Sequence, residues 1–437
     1  MKTFNYSYPV NVYFGEGSAK TAFSNELKKY GSKVLLAYGG GSIKKNGIYD
    51  EIVSLLKEEN KEVIEFNGIM SNPTYKKVQE GVELVKKENI DFILAVGGGS
   101  VIDCCKVISS QAVIDEDIWD LEYVHGKFPT EGIPMGAIVT ASGTGAEMNG
   151  GAVITHEEKN WKGGIFASTA DFVVLDPVYT LTVPSMQVLS GAFDTLSHAL
   201  ETYLGNSDQD NVSDDVALAI MKNTVVNMRR LLKDINDEQA RSNLMWDSAM
   251  AENGILKCGR QTDFQVHQIE HQLGAFTDCN HGQGLAVIQP VYCYHILNDA
   301  REKLTRFAQV VFGQKTAEEG LEALHGRAED LARDKSLRAA FDLCVSRAVA
   351  NLSVLSEYCI PFVRTNGYFV SYKGKKGLEE ISNAQNCMNV LGCKIEKVDD
   401  FRLEEDEAER LLIRIKKCKG TPKLYPRKAG TPSKNPL

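Results

Sequence analysis

"KVLLAYGGGS" at residues 33–42 and "DFILAVGGGS" at residues 91–100 decide the fold. Each is a short run rich in Val, Leu and Ile that ends in the same Gly-Gly-Gly-Ser tetrapeptide. An unalternated apolar run of this length reads as a strand buried on both faces, as in a parallel sheet. Around and between them stand "YDEIVSLLKEENK", "EVIEF" and "KKVQEGVELVKKENI", with apolar residues at helical, strand and helical spacing in turn. The resulting βαβαβ pattern predicts a doubly wound α/β sheet. At the carboxyl ends of the two strands, glycine turns containing Gly40, Gly41 and Ser42, and Gly97, Gly98, Gly99 and Ser100, let backbone N–H groups approach a phosphate. One such turn is common for steric reasons alone. Two on one sheet edge mark the place where open α/β sheets bind ligands. Neither fits G-x-G-x-x-G. A third polar, Gly-containing turn, "VTASGTGAE", ends another apolar run, "GIPMGAIV".

From about Ser185 the texture changes to long helical segments such as "VSDDVALAIMKNTVVNMRRLLKDI" and "EQARSNLMWDSAMAENGILK". The expected layout is a dinucleotide-binding α/β domain at 1–184, an all-helical metal-binding domain at 185–319, and a separate segment at 320–437. A chain of 437 residues with 43% apolar and 24% charged residues is ordinary globular material for two or three cores. Its formal charge of −9 and pI near 5.5 argue against nucleic-acid binding driven by whole-chain charge. "MKTFNYSYPVNVYFGEG" lacks a signal-peptide core, and no run is long and apolar enough for a membrane helix. The sequence reads as soluble and cytoplasmic. Its ten cysteines include no C-x-x-C pair and read as reduced residues without assigned function.

The histidines are concentrated. Three of eight, His267, His271 and His281, fall within "VHQIEHQLGAFTDCNH" at 266–281. In "GAFDTLSHALETYL", Asp194 and His198 stand four apart, so that both side chains leave one face of a helix. His267 and His271 repeat this spacing, and His281 follows a turn-like stretch. A carboxylate with several imidazoles suits Zn²⁺ or Fe²⁺ better than Mg²⁺ or Ca²⁺, which prefer oxygen shells. The alternative, core histidines bonded to backbone carbonyls, explains one such residue well and four at these spacings poorly.

Together, "GGGSVID", "VTASGTGAEMNGGAVIT", "FDTLSHALETYL" and "HQIEHQLGAFTDCNHGQGLAV" resemble the iron-containing alcohol dehydrogenase family, in particular its butanol dehydrogenase branch, over about residues 1–318. The resemblance implies that Asp194, His198, His267 and His281 are metal ligands and that His271 relays a proton beside the substrate. It also implies that Gly97, Gly98, Gly99, Ser100, Thr140, Ser142, Thr144, Lys162 and Asn72 line the dinucleotide site. An acidic residue near the adenosine ribose would favour NAD(H) by repelling a 2′-phosphate. This chain has Ser42, Lys44 and Lys45 after "YGGG", so NADP(H) is the cofactor expected.

After "RFAQVVFGQKTAEEGLEAL" the dehydrogenase-like sequence gives way. "HGRAEDL", "FDLCVSRAVA" and "YPRKAGTPSKNPL" resemble the C-terminal half of the ribosomal RNA small-subunit methyltransferase G family, which makes 7-methylguanosine in 16S RNA. That resemblance implies contacts from Ala328, Glu329 and Arg347 to S-adenosylmethionine. The Gly-rich turn that opens such a cofactor site is missing upstream. From Arg414 onward every charged side chain is basic, a tail that reads as solvated or, in the intact family, as holding RNA phosphates. The reading is therefore a metal-dependent NADP(H) oxidoreductase of primary alcohols and aldehydes, with its helical domain truncated and fused to half a methyltransferase. The alternative is a 16S rRNA methyltransferase known only from its rear half. Expected partners are a small alcohol or aldehyde and a second copy in a homodimer, with no membrane; 16S rRNA enters only under the alternative. At the seam, "AEEGLEALHGRAEDL", joining two partial domains predicts an unpaired strand edge and a region after about residue 320 that packs separately.

Overall fold

A computed structural model describes residues 2–159, 161–206, 211–277, 279–325, 338–347, 350–374, 377–402, 409–428 and 431–437. The chain forms two compact units, Met1–Leu321 and Glu322–Leu437.

The first unit is built on strands β1 (Asn11–Phe14), β2 (Lys33–Tyr38), β3 (Glu62–Phe66), β4 (Phe92–Gly97), β5 (Met135–Val139) and β8 (Phe172–Leu175), with a hairpin of β6 (Gly151–His156) and β7 (Trp161–Phe166). The six form one all-parallel sheet in the order β1-β8-β5-β4-β2-β3. Alternate residues of β2 and β4 feed two cores, one on each face. Leu35, Ala37, Ile93 and Ala95 belong to one; Val34, Leu36, Tyr38, Phe92, Leu94 and Val96 belong to the other. Burial on both faces is why these strands are apolar without alternation.

Between the strands run α1 (Ser18–Glu26), α2 (Ser42–Lys45), α3 (Ile48–Glu58), α4 (Tyr75–Glu88), α5 (Gly99–Gln111) and α6 (Ile118–Tyr123). Register pairs Ala37 with Phe66, Tyr38 with Val96, and Gly97 with Val139, so the three glycine-containing turns leave one edge of the sheet. The hairpin departs from the βα alternation: it pairs antiparallel, with Thr155 opposite Lys162, outside the main sheet.

The helical half of this unit comprises α7 (Ser185–Leu204), α8 (Val212–Leu231), α9 (Glu238–Glu252), α10 (Gln265–Thr277), α11 (His281–His295), α12 (Arg301–Phe307) and the start of α13 (Ala317–His325), within which the division falls. Among the described residues no helix is long and apolar enough to cross a membrane.

The second unit carries β9 (Phe341–Arg347), β10 (Val363–Gly374), β11 (Cys393–Arg402) and β12 (Glu409–Lys417), in the order β11-β12-β10-β9. β9 and β10 are parallel, whereas β12 runs antiparallel to both β10 and β11. Helices α14 (Leu352–Cys359), α15 (Gly377–Asn383), α16 (Gln385–Leu391) and α17 (Thr431–Lys434) complete this unit. Its core collects Leu352, Leu355, Phe369, Leu391, Ile413 and Ile415. β9 is an edge strand: among the described residues, no strand pairs along its outer side.

Candidate metal centre and dinucleotide site

Three helices supply the histidine cluster. α7 carries Asp194, His198 and, one turn further along the same face, Glu201; α10 carries His267, Glu270 and His271; α11 opens with His281. Asn280 caps α11, its side chain accepting a hydrogen bond from the N–H of Gln283 at 3.3 Å. The cap fixes where His281 leaves the helix.

Asp194, His267 and His281 each offer a ligand atom within 4.8 Å of the other two. His267 Nε2 lies 3.5 Å and His281 Nε2 3.6 Å from Asp194 Oδ1. His198 stands beside this set rather than within it. Its Nδ1 is 3.2 Å from Asp194 Oδ1 and its ring centroid is 4.3 Å from that of His267. The same Nδ1 donates to the backbone carbonyl of Asp194 at 3.0 Å, which leaves Nε2 as the nitrogen able to ligate. His271 is set back, its ring 5.6 Å from His281 and 6.5 Å from His267.

Two glutamates that the sequence reading did not select complete the arrangement. Buried Glu201 accepts the N–H of Val266 at 2.7 Å, the N–H of His267 at 3.2 Å and the Nδ1–H of His267. Fully buried Glu270 accepts the Nδ1–H of His281. Holding each Nδ1 proton fixes the tautomer and turns Nε2 towards Asp194, as outer partners of metal-bound histidines do. Each glutamate lies three residues after a histidine on the same helix, a spacing that could have drawn attention to it.

The donor set fits a divalent ion. Asp194 Oδ1 and His267 Nε2 are both buried without a hydrogen-bond partner while facing each other. Burial disfavours the charge on Asp194, yet His198, His281 and His267 outweigh it and hold the pKa at about 2. Burial also opposes a charge on His267, and the carboxylates of Asp194 and Glu201 overcome it, raising the pKa to about 9. The pocket thus attracts positive charge to the space between them. At His271, burial first, then His281, Lys162 and His267, push the pKa down to about 2. These neighbours therefore disfavour a charge on the His271 ring.

The expected dinucleotide residues fall in three places. Gly97 ends β4 and Gly98 caps α5 in extended conformation. A methyl carbon on Gly99 would lie 2.4 Å from Thr144 Oγ1, so the second and third turns touch only because residue 99 has no side chain. Thr140 donates its N–H to Gly97 at 2.9 Å, and Ser100 donates to the carbonyl of Ser71, next to Asn72. Gly40, Gly41 and Ser42 form the separate turn after β2, with Gly41 at φ +90°, where a side chain would be strained. Ser142 backs onto α7: a methyl carbon on Gly191 would sit 2.3 Å from its carbonyl oxygen, and Thr195 Oγ1 donates to the carbonyl of Gly143 at 3.1 Å. Lys162, by contrast, lies against α10, its Nζ 4.0 Å from Glu270 Oε2. Ala328 and Glu329 lie outside the described residues, as does the side chain of Arg347, whose backbone ends β9.

The family model for iron-containing alcohol dehydrogenase matches residues 9–177, and that for the C-terminal part of the Fe-containing alcohol dehydrogenase family matches 188–343. The chain belongs to the iron-containing alcohol dehydrogenase family. Similar members of this family include NADH-dependent butanol dehydrogenase A of Clostridium acetobutylicum, 42% identical over 301 residues, 68% of this chain and 77% of that one. NADPH-dependent aldehyde reductase YqhD of Escherichia coli is 35% identical over 71% of this chain and 81% of its own. The crystal structure of an NADH-dependent butanol dehydrogenase A from Thermotoga maritima superposes with a TM-score of 0.71 at 35% identity, over 74% of this chain and 83% of that one. A second family model, rRNA small subunit methyltransferase G, matches residues 282–410. The methyltransferase of that name from Lactobacillus acidophilus is 41% identical over 153 residues, 35% of this chain and 63% of that protein. The chain thus spans a little under two thirds of that relative. The two families' matches overlap over 282–343.

Proposed function

We propose that the first unit transfers hydride between NADP(H), in preference to NAD(H), and a primary alcohol or aldehyde such as butanol or butyraldehyde. Fe²⁺ or Zn²⁺ would be held by Asp194, His198, His267 and His281. The observation that carries this reading is the pair of buried, unpartnered atoms, Asp194 Oδ1 and His267 Nε2, that face each other across a gap fit for an ion. When bound, the ion stabilises an alkoxide or polarises a carbonyl, and the dinucleotide carries the hydride.

This chain's own residues do the rest. Glu201 and Glu270 retain the Nδ1 protons of His267 and His281, keeping both rings oriented. His271, set back from the other rings, is the proposed relay for the alcohol proton towards solvent. Gly97 to Ser100, Thr140, Ser142 and Thr144 bind the dinucleotide along the sheet edge, with Asn72 at its side, and Lys162 reaches it from the α10 side. Gly40, Gly41 and Ser42 meet the adenosine end, where the absence of an acidic residue at 42 supports NADP(H). Relatives named for NADH and for NADPH both occur, so this preference is an inference about this chain.

The helical domain is read as lacking its closing helices. In support, the alignments to the butanol dehydrogenases cover 76% to 82% of those proteins, and this chain continues with methyltransferase-like sequence. The match to methyltransferase G over 282–410 favours a second reading for the remainder, S-adenosylmethionine binding through Ala328, Glu329 and Arg347. Metal analysis, NADPH and NADH oxidation with butyraldehyde, and methyl transfer to 16S RNA together test both. Metal-dependent NADPH oxidation without methyl transfer is expected; the absence of metal and of oxidation with either dinucleotide would sink the dehydrogenase reading. Ser42→Asp should reverse the cofactor preference, read from the ratio of kcat/KM values.

A further inference from the structure

The turn after β2 is more than a polar loop with two lysines. Lys44 does not stand free: its Nζ is 2.9 Å from Glu65 Oε2 and lies over the rings of Tyr49 and Tyr38, 4.3 Å and 5.2 Å from their centroids. Glu65 is the penultimate residue of β3, paired in register with Leu36. The phenol of Tyr49 donates to its Oε1 at 2.6 Å and that of Tyr38 donates to its Oε2. Both charged partners are half-exposed, with 44% and 38% of their side-chain surfaces open. The carboxylate is therefore anchored by two tyrosines at the sheet edge, two dozen residues beyond the first glycine turn, and the cation is its partner. In doubly wound sheets with a G-x-G-x-x-G turn, an acidic side chain about 20 residues beyond it meets the adenosine ribose; the turn here differs, but Glu65 stands at a similar spacing.

We infer that Glu65 is a specificity-determining residue that restrains the preference for NADP(H) by keeping Lys44 as its own ion-pair partner. A 2′-phosphate near Ser42 must compete with this carboxylate for Lys44, and so gains less from the lysine than the sequence of the turn suggests. NADH, whose ribose carries a hydroxyl there, has no such competition to meet. The inference rests on the dehydrogenase reading above and concerns residues that reading does not use.

The test is calorimetric binding of NADP⁺ and NAD⁺ to the full chain, with no turnover required. Glu65→Gln removes the charge and keeps one acceptor oxygen for the two phenols. It should tighten NADP⁺ about fivefold and leave NAD⁺ within about twofold, the scale of one exposed ion pair. Lys44→Met should weaken NADP⁺, and adding Glu65→Gln to Lys44→Met should bring no further change, because the effect passes through the lysine. An unchanged ratio of the two affinities in Glu65→Gln, or an equal gain with Lys44 absent, would overturn the inference while leaving the dehydrogenase reading intact. Binding of neither dinucleotide by the unsubstituted chain would overturn that reading and this inference with it. Thermal midpoints of the variants separate lost folding from lost affinity.

Discussion

At the scale of single residues, the metal centre separates what spacing reveals from what it hides. Asp194, His198, His267 and His281 stood out in the sequence because histidine, with eight in the chain, is scarce and recurs here at helical intervals beside an aspartate. Glu201 and Glu270 were passed over because glutamate is common on helices, and their place three residues after a histidine gains meaning only once both are seen buried against an imidazole. Their function is to hold protons at Nδ1. Glu201→Gln should therefore weaken metal binding by about tenfold to a hundredfold, as loss of such outer partners does, measured by competition with a chromogenic chelator. Retention of full affinity would show that the imidazole needs no anchor. Asp247 gives a prediction about stability. It is buried on α9 and accepts from Asn223 at 2.9 Å and 3.0 Å and from Thr224 at 3.1 Å, yet burial raises its pKa to about 6. A carboxyl raised above its unfolded value contributes most below pH ~4 and loses that contribution as pH climbs through about 6. Asp247→Asn should accordingly stabilise the first unit by about 1 kcal/mol above pH ~6 and give no advantage near pH ~4. Thermal unfolding of both proteins at the two pH values reads the difference.

At the scale of elements, the βα alternation of the first 180 residues was legible because buried parallel strands and amphipathic helices differ in period. The hairpin of β6 and β7 was not. Its two strands are six residues each, and β7 carries two glycines and a lysine, so neither shows a clear apolar run or alternation. The histidine-bearing helices show why "HGQG" at 281–284 is poor in side chains. A methyl carbon on Gly282 would lie 2.1 Å from the carbonyl oxygen of Ser190 on α7, and one on Gly284 would lie 2.8 Å from the side chain of Glu270 on α10. α11 therefore approaches α7 through bare backbone, and that approach sets the distance from His281 to Asp194. Gly282→Ala should push α11 away, weaken metal binding and lower the thermal midpoint, because the obstacle is backbone and cannot rotate aside. A variant that binds metal as tightly as the parent would refute the link between helix spacing and the site.

For the whole molecule, the seam was legible from family motifs, although "GLEAL" suits both sides of it and the two families' matches share 282–343. The two units should melt in separate transitions, and a chelator should lower only the one belonging to Met1–Leu321, since a ligand stabilises the part that binds it. Calorimetry with and without chelator decides this; a single transition that moves as one would show a joint domain. Within the first unit, the approach of Gly143 to Gly191 joins the turn after β5 to the helix that bears Asp194, with no side chain between the two glycines. A joint of bare backbone has nothing to compress. Under the proposed function, the turn that meets the dinucleotide and the helix that holds the ion are then joined directly, and their separation is set by this contact. A lesion at this joint would first be noticed as mistimed chemistry in a protein that still folds.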